Sequence, residues 1–277
     1  MEKYYSLLKD VLSVPTKTYQ EEKMVEFLTN WLESNGYDYY VQDNGNIYVT
    51  KTTSEVNENF YYPCVVSHTD TVHNIDTINI FEVDLPNYLN EVKPSLMSLN
   101  DEGVQTGIGG DDKAGVFACL VLLQELPDLK VAFFVSEETG CHGSSVADDE
   151  FFKNVGYSIQ FDAPENWMVS EYLMGVKLFD RDSEFFKVCD EVITENFNGR
   201  QIYGSHPYTD VIMLRKKYDF QCINFSIGYY NYHTSEEYVV IDEVYSGIET
   251  GMGIIKKLGT TKQYMKPEFG VNKSKLF

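Results

Sequence analysis

Hydrophobic and polar positions follow two periods along this chain. Apolar residues recur at helical spacing over residues 2–13, 20–33, 183–197 and 241–258, which predicts amphipathic helices in these segments. A further helix is predicted over residues 113–125. This helix is apolar on nearly every side, so we expect it to be buried in the core.

Short apolar runs lie between these helices and predict strands. The run at residues 130–135, Lys-Val-Ala-Phe-Phe-Val, is continuous, which is typical of a strand buried on both faces. A hairpin is predicted around Asn44-Gly45, while residues 74–106 look irregular, with short strand-like pieces. The remaining predicted strands are 37–41, 47–51, 62–67, 157–161, 167–172, 176–179 and 219–227.

Strands that alternate with helices predict an α/β fold, a three-layer sandwich in which helices flank a mostly parallel, mixed central sheet. No internal repeat or linker divides the sequence, so residues 1–258 are interpreted as one domain. Residues 259–277 have no clear periodicity and are interpreted as a loosely ordered C-terminal tail.

Composition narrows the function classes. The 277 residues carry a net charge of −21, which argues against nucleic acid and anionic membrane partners, since phosphate binding needs a basic surface. No apolar run reaches the length of a membrane span, and the N-terminus does not resemble a signal peptide. Five scattered cysteines without a CxxC pair favour reduced thiols, and with them a cytoplasmic location.

A glycine-rich loop at residues 107–115 precedes the buried helix and carries Asp111. A carboxylate held against hydrophobic structure needs a compensating cation, so Asp111 is a candidate bridge between two metal ions. The alternative is that Asp111 caps the helix, because Asp is a preferred N-cap residue.

Other candidate ligands stand where predicted strands end. In α/β sheets ligands bind beyond the carboxyl ends of the strands, so these side chains are expected to meet at one edge. Histidine nitrogen and carboxylate oxygen are ligands that zinc accepts, and two zinc ions can activate one water between them. The candidates are His68 and Asp70 after the first strand, Glu137 and Glu138 after the second, Asp162 after the third, and His233 after the last.

Each of these residues also has a simpler interpretation. His68 could be a core histidine, Glu137 and Glu138 could belong to a solvated loop, and Asp162 could form a turn. Asp70 fits a role behind the centre, because a carboxylate commonly orients a metal-bound imidazole. Of the adjacent glutamates, Glu138 could bind the metal while Glu137 takes a proton from the attacking water as general base.

The motifs together resemble a known family. His68-Thr69-Asp70, Gly110 to Gly115, Ser136 to Gly140, Phe161-Asp162-Ala163 and Tyr232 to Tyr238 look like the ordered motifs of the di-zinc exopeptidases that include peptidase T, carboxypeptidase G2 and aminoacylase. The resemblance implies a zinc-peptidase-like catalytic domain with two Zn²⁺ ions, replaceable by Co²⁺ or Mn²⁺. It implies His68 and Asp162 on one zinc, Glu138 and His233 on the other, Asp111 as the bridge, Glu137 as base and Asp70 behind His68.

One departure from the family concerns the lid. These relatives usually carry a lid or dimerisation domain between the Asp and the final His. Here Asp162 and His233 are only 71 positions apart (233 − 162 = 71), and predicted strands and helices fill the segment between them. The family's dimer is therefore not implied, and a monomer or a lid-independent oligomer is expected. His206 could replace a histidine that the lid supplies, or could simply be a turn residue beside Pro207.

The expected activity is hydrolysis of short peptides, as by an aminopeptidase or tripeptidase. An N-acyl amino acid amidohydrolase or a carboxypeptidase would use the same centre, and an inactive metal-binding scaffold is the alternative from another class. A carboxypeptidase needs a cation for the substrate carboxylate, and the chain has only three arginines, Arg181, Arg200 and Arg215.

Overall fold

The computed structural model describes residues 2–197, 199, 201–206 and 208–267, with the side chain of His206 outside that description. The predicted amphipathic helices are confirmed within a few residues. After a short 3₁₀ turn at Glu2–Tyr4, the described helices are α1 (Tyr5–Leu12), α2 (Glu22–Ser34), α3 (Gly110–Glu125), α4 (His142–Ser145), α5 (Asp149–Phe152), α6 (Glu184–Asn196), α7 (Val211–Lys217) and α8 (Ile241–Leu258).

The central sheet contains nine strands within the described part of the chain, in the order β1-β2-β7-β3-β8-β12-β9-β10, with β11 paired to β9. Its middle is parallel, because β3 pairs in parallel with β7 and β8, and β8 with β12. The strands are β1 (Tyr39–Val41), β2 (Ile47–Lys51), β3 (Tyr62–His68), β7 (Leu129–Phe134), β8 (Val155–Ala163), β9 (Met168–Leu173), β10 (Val176–Lys177), β11 (Ile202–His206) and β12 (Gln221–Ser226).

The middle of the sheet is buried, as its apolar sequence predicts. Every residue of β3, β7, β8 and β12 is buried, and α3 packs directly on β3 and β8. Helix α3 is buried from Gly110 to Leu123, as its apolar surface predicts. The predicted α/β fold, a mixed central sheet flanked by helices, is confirmed.

A second sheet was not predicted. The strands β4 (Asn79–Pro86), β5 (Val92–Leu99), β6 (Gln105–Thr106), β13 (Tyr229–Tyr230) and β14 (Tyr238–Val240) form it. Residues 74–106 are therefore not irregular, since most of them form an antiparallel hairpin with full pairing between β4 and β5. The pattern is weak because β4 is largely exposed and because β5 gains its partner β14 from far along the chain.

The interpretation of the C-terminal tail as loosely ordered is wrong for its first part. Residue Gln263 accepts a hydrogen bond from the Gln221 backbone and donates one to Gly156, both at 2.9 Å. These bonds extend the sheet at the starts of β8 and β12, far along the chain from the tail, which is why periodicity could not reveal them. Residues 268–277 lie outside the described part. None of the described helices has the length and apolar character that a membrane crossing requires.

Candidate metal centre

The parallel strands bring the predicted residues to one edge of the sheet. His68 is the last residue of β3 and pairs in register with Phe134, the last residue of β7. Glu137 and Glu138 follow β7 after a bend at Ser136, whose φ of 56° turns the chain sharply. Because β3 and β7 run in the same direction, their carboxyl ends place the histidine and the two glutamates side by side.

Two of the expected strand-end positions are corrected. Asp162 lies inside β8, which ends at Ala163, so it is not a turn former. His233 does not follow the last strand of the central sheet, because β12 ends at Ser226. It lies in the turn between β13 and β14 of the second sheet, with a φ of 63°, and this turn carries it over the edge of the central sheet.

The glycine-rich loop presents Asp111 at the start of α3. Gly109 precedes the element with a φ of 70°, a conformation that glycine adopts without strain. Asp111 and Asp112 have non-helical backbone angles, and it is Oδ1 of Asp112 that accepts the backbone N–H of Gly115 at 3.1 Å, as an N-cap side chain does. The capping alternative for Asp111 is therefore wrong. The peptide bond between Asp111 and Asp112 is cis.

Asp111 lies between the two histidines. Its Oδ1 is 3.1 Å from Nε2 of His68, and its Oδ2 is 3.2 Å from Nε2 of His233. Nε2 of His233 is also 3.0 Å from Oε2 of Glu138. Oδ1 of Asp162 is 3.9 Å from Nε2 of His68. The five side chains thus form two groups of potential ligands that share Asp111, one with His68 and Asp162 and the other with Glu138 and His233.

Asp70 links His68 to the glutamate bend. Nδ1 of His68 lies 2.9 Å from the backbone oxygen of Asp70 and 3.4 Å from its Oδ1. The same carboxylate accepts the backbone N–H groups of Glu137 at 2.9 Å and Glu138 at 3.3 Å. Asp70 lies behind the centre and fixes both the imidazole of His68 and the backbone of the two glutamates.

A set of neutral donors holds Asp162. Its Oδ2 accepts a hydrogen bond from the Thr209 hydroxyl at 2.5 Å and one from Gln160 at 3.3 Å. The Tyr229 hydroxyl donates to Oδ1 at 3.2 Å, and Asn224 binds the backbone of Asp162 on both sides. These contacts fix the carboxylate rotamer, with Oδ1 as the oxygen that faces His68.

The charges of the centre are strongly perturbed. Burial disfavours the charged form of His68, yet hydrogen bonds with Asp111, Asp162 and Asp70 raise its pKa well above the usual value. Hydrogen bonds with Asp111 and Glu138 raise the pKa of His233 to about 10.

The two glutamates are perturbed by burial. Burial raises the pKa of Glu137 well above its usual value, and it also raises the pKa of Glu138. Several carboxylates thus face one pocket, and no Lys or Arg is among the described residues that line it. Imidazole nitrogens and carboxylate oxygens are a donor set that fits zinc and related divalent ions, whose charge would compensate these carboxylates.

The pocket above the centre has a volume of about 410 Å³. It is lined by four of the candidate ligands, by loop residues and by two tyrosines. The lining residues are Asp111, Glu137, Glu138, Thr139, Gly140, Asp162, Tyr208, Tyr232 and His233.

Glu237 is the main supporting residue that sequence reasoning missed. Its carboxylate is fully buried and accepts hydrogen bonds from Gly109 N at 2.8 Å and Asp111 N at 3.1 Å. Its Oε2 also lies 2.6 Å from Nε2 of His73. Glu237 thereby fixes the backbone at the start of α3 from another part of the chain. It belongs to the quoted His233 motif, but only the tertiary contact reveals this role.

Asp112 and Asp210 were also missed. Asp112 is fully buried, and its Oδ2 accepts a hydrogen bond from the Ser67 hydroxyl at 2.7 Å, which fastens α3 to β3. Asp210 is fully buried near the centre, where burial raises its pKa to about 7. His206 lies at the end of β11, but its side chain is outside the described part of the structure, so its suggested role stays a prediction.

The fold is similar to that of several solved peptidases. The aminopeptidase PepT from Bacillus cereus ATCC 10987 superimposes with a TM-score of 0.73 at 14% identity, covering 93% of this chain and 98% of that one. A tripeptidase from Staphylococcus aureus subsp. aureus Mu50 gives 0.68 at 13% identity, with coverage of 93% and 98%. An aminopeptidase from the archaeon Desulfurococcus kamchatkensis gives 0.68 at 12%, with coverage of 98% and 99%.

At the level of sequence the chain is similar to a curated peptidase. It is 24% identical over 191 residues to the cytosol non-specific dipeptidase of Escherichia coli strain K12. This alignment includes 67% of the chain but only 35% of that relative, so the chain spans about a third of the relative's length. No family model matches the sequence. The resemblance to exopeptidases drawn from the motifs is confirmed by these similarities, one in sequence and the others in fold.

Proposed function

We propose that this protein is a two-zinc exopeptidase that removes the N-terminal residue from short peptides. The observation that carries the proposal is the position of Asp111, whose two oxygens lie 3.1 and 3.2 Å from the two histidines. A carboxylate in that position can bridge two metal ions, and bridged pairs are the arrangement used for metal-assisted hydrolysis.

The residues would divide into two ligand sets. His68 and Asp162 would hold one zinc, Glu138 and His233 the other, with Asp111 shared between them. Asp70 would orient His68 through the contact to its Nδ1. Co²⁺ or Mn²⁺ could replace Zn²⁺, since both accept nitrogen and carboxylate ligands.

The metals would supply an activated water and would polarise the scissile carbonyl. Glu137 is placed to act as general base, because its Oε2 lies 3.9 Å from Nε2 of His68 and the side chain lines the pocket. It would take a proton from the attacking water and deliver it to the leaving amine. Its buried position keeps solvent from competing for that proton.

The charge of the pocket favours a substrate with a free amine over one with a free carboxylate. A carboxypeptidase needs a cation near the pocket to hold the substrate carboxylate, and the described lining residues include no Lys or Arg. Arg181 binds Glu171 through two hydrogen bonds of 2.8 and 2.7 Å. Arg215 is buried and donates to the backbone oxygen of Tyr218 at 3.2 Å. Arg200 lies outside the described residues. Short substrates are favoured because the pocket volume of about 410 Å³ suits a few residues.

The organisation of the chain is part of the same proposal. Residues 1–258 would form a single catalytic domain without a lid insertion. This is supported by the described strands between Asp162 and His233, because β9 to β12 join the central sheet and β13 the second sheet. A cytoplasmic location agrees with five free, buried cysteines and with the name of the dipeptidase relative. A monomer or a lid-independent oligomer is expected.

Metal analysis combined with a peptide assay tests the proposal. Purified protein is expected to bind two zinc ions per chain and to hydrolyse di- and tripeptides with free amines, and a chelator should abolish this activity reversibly. Glu137→Ala should retain both metals but lose nearly all turnover, because the base is removed and the ligands remain.

N-acetylated copies of the same peptides distinguish the alternatives. Faster cleavage of the acetylated forms would identify an amidohydrolase or carboxypeptidase instead of an aminopeptidase. Full metal occupancy without cleavage of any peptide would instead support an inactive metal-binding scaffold. Unchanged turnover in Glu137→Ala would remove Glu137 from the mechanism.

A further inference from the structure

Cys141 makes a direct contact with the proposed general base. Its Sγ lies 3.3 Å from Oε1 of Glu137 and donates a hydrogen bond to it. The other carboxylate oxygen, Oε2, faces the centre and lies 3.9 Å from Nε2 of His68. The two oxygens of Glu137 therefore have different neighbours, a thiol on one side and the candidate metal centre on the other.

The side chain of Cys141 is held at Glu137 by a backbone conformation that is locally unfavourable for a residue with a Cβ. Cys141 has a φ of 55° and a ψ of 42°, the left-handed region that a residue with a Cβ rarely adopts. Its N–H donates to the backbone oxygen of Glu137 at 2.8 Å, and its own oxygen accepts Ser145 N at 3.0 Å. Glycine would adopt this conformation without strain, yet the chain has a side chain here that ends on Glu137.

The thiol is available as a donor and not as a nucleophile. Cys141 is fully buried, and burial together with the nearby carboxylates of Asp210 and Glu137 raises its pKa far above the usual value. It therefore keeps its proton at neutral pH. A protonated thiol is a weak donor that can fix a carboxylate without neutralising it.

We propose that Cys141 is a positioning residue whose thiol fixes Oε1 of Glu137 and leaves Oε2 directed at the attacking water. This inference rests on the proposed function, because it assigns a purpose to the base that the function requires. It adds a determinant of turnover that lies outside the candidate ligand groups and is not among the described residues that line the pocket.

Two substitutions at this position test the inference in the metal-loaded protein. Cys141→Ala should lower kcat about two- to tenfold, the effect of one hydrogen bond on the base, with KM and bound metal unchanged. Cys141→Ser keeps a donor and should recover most of the lost kcat. Cys189→Ala is the matched control, because Cys189 is equally buried but lies in α6, away from the centre, and kcat should not change.

A double-mutant cycle shows whether the effect passes through Glu137. Glu137→Asp shortens the side chain, so its carboxylate no longer reaches the thiol, and Cys141→Ala should then lower kcat no further. An equal loss in both backgrounds, or a loss of metal in Cys141→Ala that serine does not restore, would overturn the positioning role.

The inference and the proposed function can fail separately. Normal kcat in Cys141→Ala, together with an inactive Glu137→Ala, would overturn the inference and leave the proposed function standing. Normal kcat in Glu137→Ala would overturn both.

Discussion

Replacement of Glu237 is expected to loosen the glycine-rich loop and the candidate metal centre together. This carboxylate is fully buried and accepts hydrogen bonds from Gly109 N, Asp111 N and the His73 ring. In Glu237→Ala two backbone N–H groups at the start of α3 and one imidazole nitrogen lose their partner. The local cap Asp112 already accepts Gly115 N through its Oδ1 at 3.1 Å and Ser67 through its Oδ2 at 2.7 Å.

The magnitude follows from the number of groups left without a partner. A buried donor that loses its acceptor costs about 1–3 kcal/mol, so three such groups should lower the free energy of unfolding by about 3–5 kcal/mol after partial relaxation. Asp111 would also lose the contact that fixes its backbone. We expect metal affinity to fall about 10- to 100-fold, the usual effect of removing a group that orients a ligand.

Urea unfolding of the metal-free protein measures the stability, and calorimetric zinc titration measures the affinity. Glu236→Ala is the matched control, since Glu236 is the adjacent residue with the same charge but is exposed, and both quantities should stay near wild type. If Glu237→Ala unfolded at the same urea concentration and bound zinc as tightly as wild type, Glu237 would not support the centre.

Two further predictions concern protons and packing. The pKa of His233 is about 10 in the folded chain against 6.5 ordinarily, so its contribution to the stability of metal-free protein is full below pH 6.5 and is lost as the pH rises through 10. Zinc must displace that proton, so calorimetric zinc titrations at pH 8 in buffers of different ionisation enthalpy should show proton release on binding. Binding heats that are the same in every buffer would contradict this. A Cβ at Gly115 would lie 2.2 Å from Oδ1 of Asp112. Gly115→Ala should therefore lower the free energy of unfolding by about 1–3 kcal/mol, measured as a lower melting temperature. Gly204→Ala is the control, because its Cβ would meet no atom within 4 Å, and equal melting temperatures for the two variants would refute the packing argument.

Local sequence determined most strands of the central sheet and its long helices. The continuous apolar runs of β3, β7 and β8 predict buried strands, and the boundaries of α8 are those its periodicity gives. The same runs end close to the candidate ligands. Parallel pairing then brings these strand ends to one edge of the sheet, which is why a general rule about α/β sheets predicts the location of the candidate site from the sequence.

The second sheet and the supporting contacts of the centre were decided by tertiary structure. β14 pairs with β5, and Glu237 reaches Gly109 across 128 positions of the chain. Nothing in the sequence separates Cys141 from the other cysteines, and only the tertiary structure brings its Sγ to 3.3 Å from Oε1 of Glu137.

The physical reason is the range of the interactions involved. Periodicity records which face of an element is buried, because burial depends on the residue itself and repeats along each helix or strand. A hydrogen bond to a buried carboxylate depends on which distant segment supplies the donor, and nothing local encodes that choice. The sequence alone therefore determined the long helices, most strands of the central sheet and the types of candidate ligand, whereas the folded chain decided which residues hold those candidates in place.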